Sequence, residues 1–405
     1  MNKSFKLALY INYFVYAILL NSVGIVMLKS QNNYEVSETT ASTLELFKDL
    51  PIAFVSFLVA SFLPRFGYKK SMLVALWLVA VGLVQMYFGN TFASAQIMFA
   101  IVGATFALIK VAVYASVGLL TENEAEHNSL MSSIEGVFMF GIALSYFLFP
   151  AFNAPDNPDA WLRVYLLLTA LVVLSFLFLS RVPELPTPKV EGGFTAELKS
   201  SFQLIVKPLV LVFVASAFLF VMIEQAFMTW MPTFNQDVLS LSEDNSIRVA
   251  SVLALSLGLG RLIAGKLSER LHWSLVLSIC LVLAMALVSF VLPRLMHANV
   301  SENALHLWGL PLIAFVFPTV GLFIAPVYPL LNSVVLSALP KALHSPMTGL
   351  IVVFSALGGT LGSRIIGILF ERAGGDKAFY FTLLPMAVLL GAVFLLKKMT
   401  KSNQY

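Results

Sequence analysis

"RVPELPTPKVEGGFTAELKSS", residues 181–201, is rich in proline, glycine and charge, and it divides a 405-residue chain near its middle. Six apolar runs lie before it: 6–28, 42–63, 71–89, 94–120, 130–152 and 161–180. Six follow: 206–231, 247–264, 273–292, 308–337, 347–370 and 378–396. About 20 apolar residues cross a hydrocarbon core roughly 30 Å thick. Leu, Phe, Val and Ala dominate each run. Open strands cannot cross lipid with unpaired backbone groups, so the runs read as helices. The expectation is an all-α integral membrane protein with twelve transmembrane helices. The first six-helix bundle spans 1–180, a linker 181–205, and the second bundle 206–405.

The composition agrees. The chain is 59% hydrophobic and 11% charged, against about 45–50% apolar and about 25% charged in soluble domains. The lone cysteine, Cys280, excludes an internal disulfide framework and a cysteine metal cluster. No metal pair of histidines at helical spacing and no phosphate-cradling glycine loop appear, so neither a metal centre, a cofactor nor ATP-driven transport is expected. Nothing points to nucleic acid or to an enzyme's nucleophile and base. Asn299-Val-Ser is a glycosylation pattern of low specificity. With the N-terminus inside, fifteen Lys and Arg fall on inside segments and six on outside ones, Lys29 among the six. This asymmetry predicts cytoplasmic termini, in a bacterial inner membrane.

The halves echo one another. After span two comes "ASFLPRFGYKK" (60–70), and after span eight "GKLSERLHW" (265–273). Aligning Arg65 with Arg270 also aligns Ala60 with Gly265 and Phe62 with Leu267. Two similar six-helix halves are the architecture of a transporter of the major facilitator type, with its substrate site near the midplane. Further segments carry a closer resemblance: "RFGYKK" (65–70), "IEQAFMTWMPTF" (223–234), "LGLGRLIAGKLSER" (257–270), "GLFIAPVYPLLNS" (321–333) and "TGLIVVFSALGG" (348–359). In this order the chain resembles the fucose–galactose–glucose:proton symporter branch of the major facilitator superfamily. The resemblance implies proton-coupled uptake of a small carbohydrate-like solute by alternating access. Two departures stand out. Where the branch carries an Asn-Asp pair in span one, "LLNSVG" has Asn21 and Ser22. Where it carries a glutamate in span four, this chain has Lys110.

A charge at mid-bilayer is costly and faces protein or a water-filled cavity. Lys110 lies about ten residues from the end of its span, so roughly 15 Å deep. It either binds an anionic group of the solute or pairs with Glu135 of span five. Glu45, Lys48 and Asp49 in "LELFKDLP" (44–51) share one helix face. They read as a solvated helix start at the outer mouth or as a proton entry site. Glu224 and Gln225, with Trp230 above them, suit a hydroxyl-rich ligand, as do Asn21, Tyr328 and Asn332; helix–helix hydrogen bonding is the plainer alternative. Pro326 and Pro329 suit a helix that bends. Arg364 is placed equally as an anion ligand or a cap for carbonyls. The proton-coupling candidates are Glu224, Glu135, Asp49 and Glu45. Arg65, Gly67, Arg261, Gly265, Glu269 and Arg270 read as conformational latches at the cytoplasmic ends of spans two and eight.

The expected partners are a small molecule, a proton and the lipid bilayer, with the chain a monomer. Proton-antiport efflux of a drug-like compound or metabolite is the rival reading, and a transport-dead sensor on the same fold a remoter one. Tags at both termini and within 185–200 should report cytoplasmic exposure, and tags near 155 and 300 external exposure. A cytoplasmic signal at 155 overturns this topology.

Overall fold

The computed structural model describes residues 2–122, 124–184, 204–268, 270–295, 310, 312–338 and 344–402. Most of the linker expected at 181–205, the Asn299 pattern and Glu269 lie outside the described residues. The chain divides into two compact units, Met1–Glu35 with Leu44–Glu197, and Val36–Thr43 with Leu198–Tyr405. Eleven helices among the described residues are long and apolar enough to cross a membrane. Thr43–Phe66, with three charges in its first two turns, completes a twelve-helix fold.

In the first unit, α1 (Asn2–Asn21) and α2 (Val23–Tyr34) form one span with a turn at Ser22. After α3 (Glu38–Ala41) come α4 (Thr43–Phe66), α5 (Tyr68–Gly89), α6 (Phe92–Leu120), α7 (Glu124–Leu148) and α8 (Arg163–Arg181). Helix α5 packs on α6 and α8, and α1 packs on α7. Some buried polar groups are paired across helices. The Ser175 hydroxyl meets Asn12 Oδ1, and the Tyr16 hydroxyl donates to the Ala75 carbonyl at 3.3 Å. Large apolar side chains such as Trp77, Phe88 and Phe140 point outward, as a lipid-facing surface requires.

Two expectations are corrected in this unit. Lys29, counted on an outside loop, belongs to α2, which runs on to Tyr34. Its side chain is buried, with Nζ 2.7 Å from Asn153 Oδ1 and 5.7 Å from the Trp161 ring centre. Packing against that ring sustains a helix whose sequence, "KSQNNY", reads as loop. Glu45, Lys48 and Asp49 do not form a solvated helix start, because all three are buried.

The second unit holds α9 (Pro208–Asp237), α10 (Glu243–Ser268) and α11 (Trp273–Leu295). A broken span follows: α12 (Leu312–Val316), α13 (Val320–Ile324) and α14 (Val327–Ala338). Then come α15 (His344–Ala373), α16 (Gly375–Ala378) and α17 (Leu383–Ser402). The breaks fall at Pro318, in a 3-10 turn Phe317–Thr319, and at Ala325–Pro326, since proline supplies no N–H to the helical ladder. Pro329 is accommodated inside α14. Helix α9 packs most extensively on α15, where Trp230 Nε1 donates to the Ser363 carbonyl at 3.0 Å. Phe227, Phe234, Phe317 and Phe379 form an aromatic core between the helices.

The segment Val36–Thr43, which joins the first span to the second, is built into this second unit. Helix α3 lies on α15. Arg364 Nη1 donates to the Thr39 carbonyl and to Ser42 Oγ, and Thr39 N donates to Glu371 Oε2 at 3.2 Å. Gly367 lets the segment approach, since a Cβ there would meet the Trp230 ring at 2.8 Å and the Glu38 carbonyl at 3.0 Å.

Helix α6 meets α4 by the same device: a Cβ on Gly103 would collide with the Lys48 carbonyl. Overpacking of this kind costs about 1–3 kcal/mol. Gly103→Val should therefore lower the melting temperature of the detergent-purified protein by several degrees. An unchanged melting curve would mean that α4 and α6 do not touch at this point.

Candidate functional site

In the first unit the site grows from α6. Phe106, Lys110 and Tyr114 are spaced by four and lie along one helix face. The Lys110 ammonium sits 5.9 Å from the Phe106 ring centre and 5.8 Å from that of Tyr114, within cation–π range. The Tyr114 hydroxyl donates to Glu135 Oε1 at 2.8 Å. One tyrosine thus touches both charges, with its ring beneath the cation and its hydroxyl on the acid. Tyr13 of α1 and Phe138 of α7 complete the wall, their ring centres 5.1 Å apart, and Tyr13 also lies 6.3 Å from Tyr114. Tyr114 remains 38% exposed, so the cage is open on one side. Tyr13 is itself buried, so the arrangement offers an ammonium, a carboxylate, the Tyr114 phenol and ring faces, groups that suit a solute bearing both hydroxyls and an acidic group.

Sequence reasoning singled out Lys110 and Glu135 but missed Phe106, Tyr114, Tyr13 and Phe138. The four-residue spacing of Phe106 and Tyr114 about Lys110 was the available signal. Asn21 is half-buried beside the turn at Ser22, its Nδ2 donating to the Ala17 carbonyl of its own helix at 2.9 Å.

In the second unit, Glu224 of α9 pairs with Arg261 of α10, Oε1 to Nη2, at 3.1 Å. Helix α10 continues to Ser268, and Arg261 lies two turns inside it, facing an acid of the neighbouring helix. One turn before Glu224, Phe220 stacks on Tyr328 with ring centres 5.5 Å apart. Asn332, four residues after Tyr328, has a buried Oδ1 that accepts no hydrogen bond. Gln225 is half-buried.

Trp230 and Arg364 are engaged otherwise in this structure. The indole is fully buried and bonded to Ser363, and the guanidinium caps the Thr39 carbonyl. For Arg364, this corresponds to the carbonyl-capping alternative.

The latch residues are partly described. Gly67, with φ of 98°, turns the chain between α4 and α5 in a region that only glycine adopts at low cost. Beyond it, Lys69 Nζ donates to the Ser180 carbonyl at the end of α8 at 2.9 Å. Lys70 lies 3.6 Å from Glu184, an exposed pair of small worth. Arg65 and Gly265 sit in α4 and α10, and Arg270 is exposed.

A model of the Major Facilitator Superfamily matches residues 9–363 of this chain. No curated protein matches the sequence. Several solved structures share the fold at low identity. A bacterial homolog of the human lysosomal transporter Spinster aligns with TM-score 0.79 at 12% identity, over 99% of this chain and 98% of that one. The nucleoside transporter NupG aligns with TM-score 0.73 at 15% identity, over 96% and 99%. The E. coli fucose:proton symporter FucP aligns with TM-score 0.64 at 15% identity, over 96% and 98%.

The Glu224–Arg261 pair is partly buried, its side chains 17% and 37% exposed. Arg261→Met should cost an amount between the ~1 kcal/mol of an exposed pair and the ~3–5 kcal/mol of a broken buried one. The double variant with Glu224→Gln should recover most of the loss in thermal unfolding. Strictly additive losses would show that the two side chains do not interact.

Proposed function

Because this chain belongs to the Major Facilitator Superfamily, a family of multi-pass membrane transporters, we propose that it carries a small carbohydrate-like solute with an acidic group, by proton-coupled symport with alternating access. The observation that carries the substrate class is the Lys110 ammonium over two aromatic rings beside a hydroxyl-held Glu135. A fixed ammonium in a low-dielectric setting attracts carboxylates and repels cations. The rings of Tyr114 and Phe138, the less buried ones of the cage, suit the faces of a sugar ring, and the Tyr114 phenol and the carboxylate suit its hydroxyls. In the second unit, the buried, unpartnered Oδ1 of Asn332 and the half-buried Gln225 are polar groups of the same kind.

The candidate groups for coupling to protons are Glu135, Glu224, Glu45 and Asp49. Two of the similar folds belong to proton symporters of fucose and D-xylose, which supports this reading. The distribution of Lys and Arg supports cytoplasmic termini.

The test is uptake into proteoliposomes of a labelled hexuronate, a hexose and a hexosamine, with and without an inward proton gradient. The hexuronate should accumulate best, and only with the gradient. Lys110→Met should cut hexuronate binding at least tenfold while the protein stays folded and monodisperse. Preference for the hexosamine, or wild-type hexuronate binding by Lys110→Met, would overturn the acidic-solute reading. Gradient-driven loss of hexuronate from preloaded vesicles would favour efflux.

A further inference from the structure

Two of the four proton-coupling candidates already have partners. Glu135 accepts from Tyr114, and Glu224 is held by Arg261, which does not give up its proton. Helix α4 is arranged differently. Glu45, Lys48 and Asp49 are 0%, 4% and 6% exposed, so all three are largely shielded from bulk solvent, Asp49 the least. Lys48 Nζ bonds Glu45 Oε1 and lies 3.5 Å from Asp49 Oδ1. Two carboxylates therefore share one ammonium, and Glu45 is the nearer. The charged groups acting on Asp49 are Lys48 and Glu45, both on its own helix. Helix α6, which meets α4 at Gly103, carries no titratable side chain from Phe92 to Ile109. Among the described residues, Lys48 is thus the only base within ion-pair distance of Asp49.

Two carboxylates that share a site resist being ionised together. A second ion-pair partner would need room, whereas a proton needs none. We propose that Asp49 is the proton-binding group of this transporter. A proton from the aqueous phase forms an O–H bond on the Asp49 carboxylate, and Lys48 is left to Glu45. When that O–H bond breaks, the proton returns to water and Lys48 again holds both acids. The proposal rests on the proton-coupled reading above and assigns its site.

The surroundings give such a change somewhere to act. Pro51 has no N–H for the Phe47 carbonyl, so the turn that carries the triad is the one with a missing helical bond. Glu45 follows three residues after Ser42, the hydroxyl that Arg364 holds in the second unit. Charge gained or lost on Asp49 falls within two turns of the point where the chain leaves that unit.

The test is infrared spectroscopy of the full chain in liposomes as pH is raised, with carbon-13 aspartate in one sample. In samples that all carry Asp237→Asn, the otherwise wild-type chain should show, above about pH 5 where exposed aspartates are ionised, a protonated-carboxyl stretch that shifts with the label and vanishes at high pH. Asp49→Asn should lack this band. Asp49→Glu, which keeps an acid should the amide fold poorly, should keep a band that no longer responds to aspartate label. A label-sensitive band retained in Asp49→Asn or in Asp49→Glu, or none in the wild type at any pH, overturns the proposal. Hexuronate uptake indifferent to the proton gradient would instead sink the coupling reading, and the band would still decide Asp49.

Discussion

A charge placed among lipid-facing helices has to be met by the protein itself, and the interior of this chain is organised by that cost. Lys110 rests on the rings of Phe106 and Tyr114, Glu224 is matched to Arg261, Lys48 is shared by Glu45 and Asp49, and Lys29 is taken up by Asn153 and the face of Trp161. Two of these contacts, Glu224 with Arg261 and Lys29 with Asn153 and Trp161, join separate elements that apolar packing alone would leave free to slide. Hydrophobic burial in a bilayer does not select one register over another, because lipid tails are as apolar as leucine. Polar partners do.

The helices were legible because their signal is long and redundant. Twenty apolar residues admit few readings in any solvent, and the family follows from motifs spread over the whole chain. Charge partners were legible only where both ends lie within one helix, as for Glu45, Lys48 and Asp49 at spacings of three and four. Their burial was not legible, since a helix start with three charges reads as solvated until a neighbour covers it. The pairing of Arg261 with Glu224 depends on the relative rotation of α9 and α10, which no local pattern encodes. Counting from the end of the apolar run put Arg261 near the membrane surface, although the helix continues past it.

Aromatic residues divide in a similar way. Trp230 has the profile of a ligand platform, yet its indole closes the contact of α9 with α15. Tyr114 has no motif around it, yet it touches both charges of the first-unit site. A ring's role is set by which of its surfaces the neighbours leave open, and that is decided by packing. Lys110, by contrast, was conspicuous from sequence because nothing polar surrounds it there.

The segment Val36–Thr43 has a consequence for the chain as a connected object. It lies between the first two spans in sequence, yet it completes the second unit, capped by Arg364 and Glu371. A cut anywhere in 185–203 would not yield two self-sufficient pieces. The C-terminal fragment would lack an element that only the N-terminal fragment supplies, so the pieces are related as hook and eye. Each half, made as a separate polypeptide, depends on the other: one for a missing helix, the other for a place to anchor it.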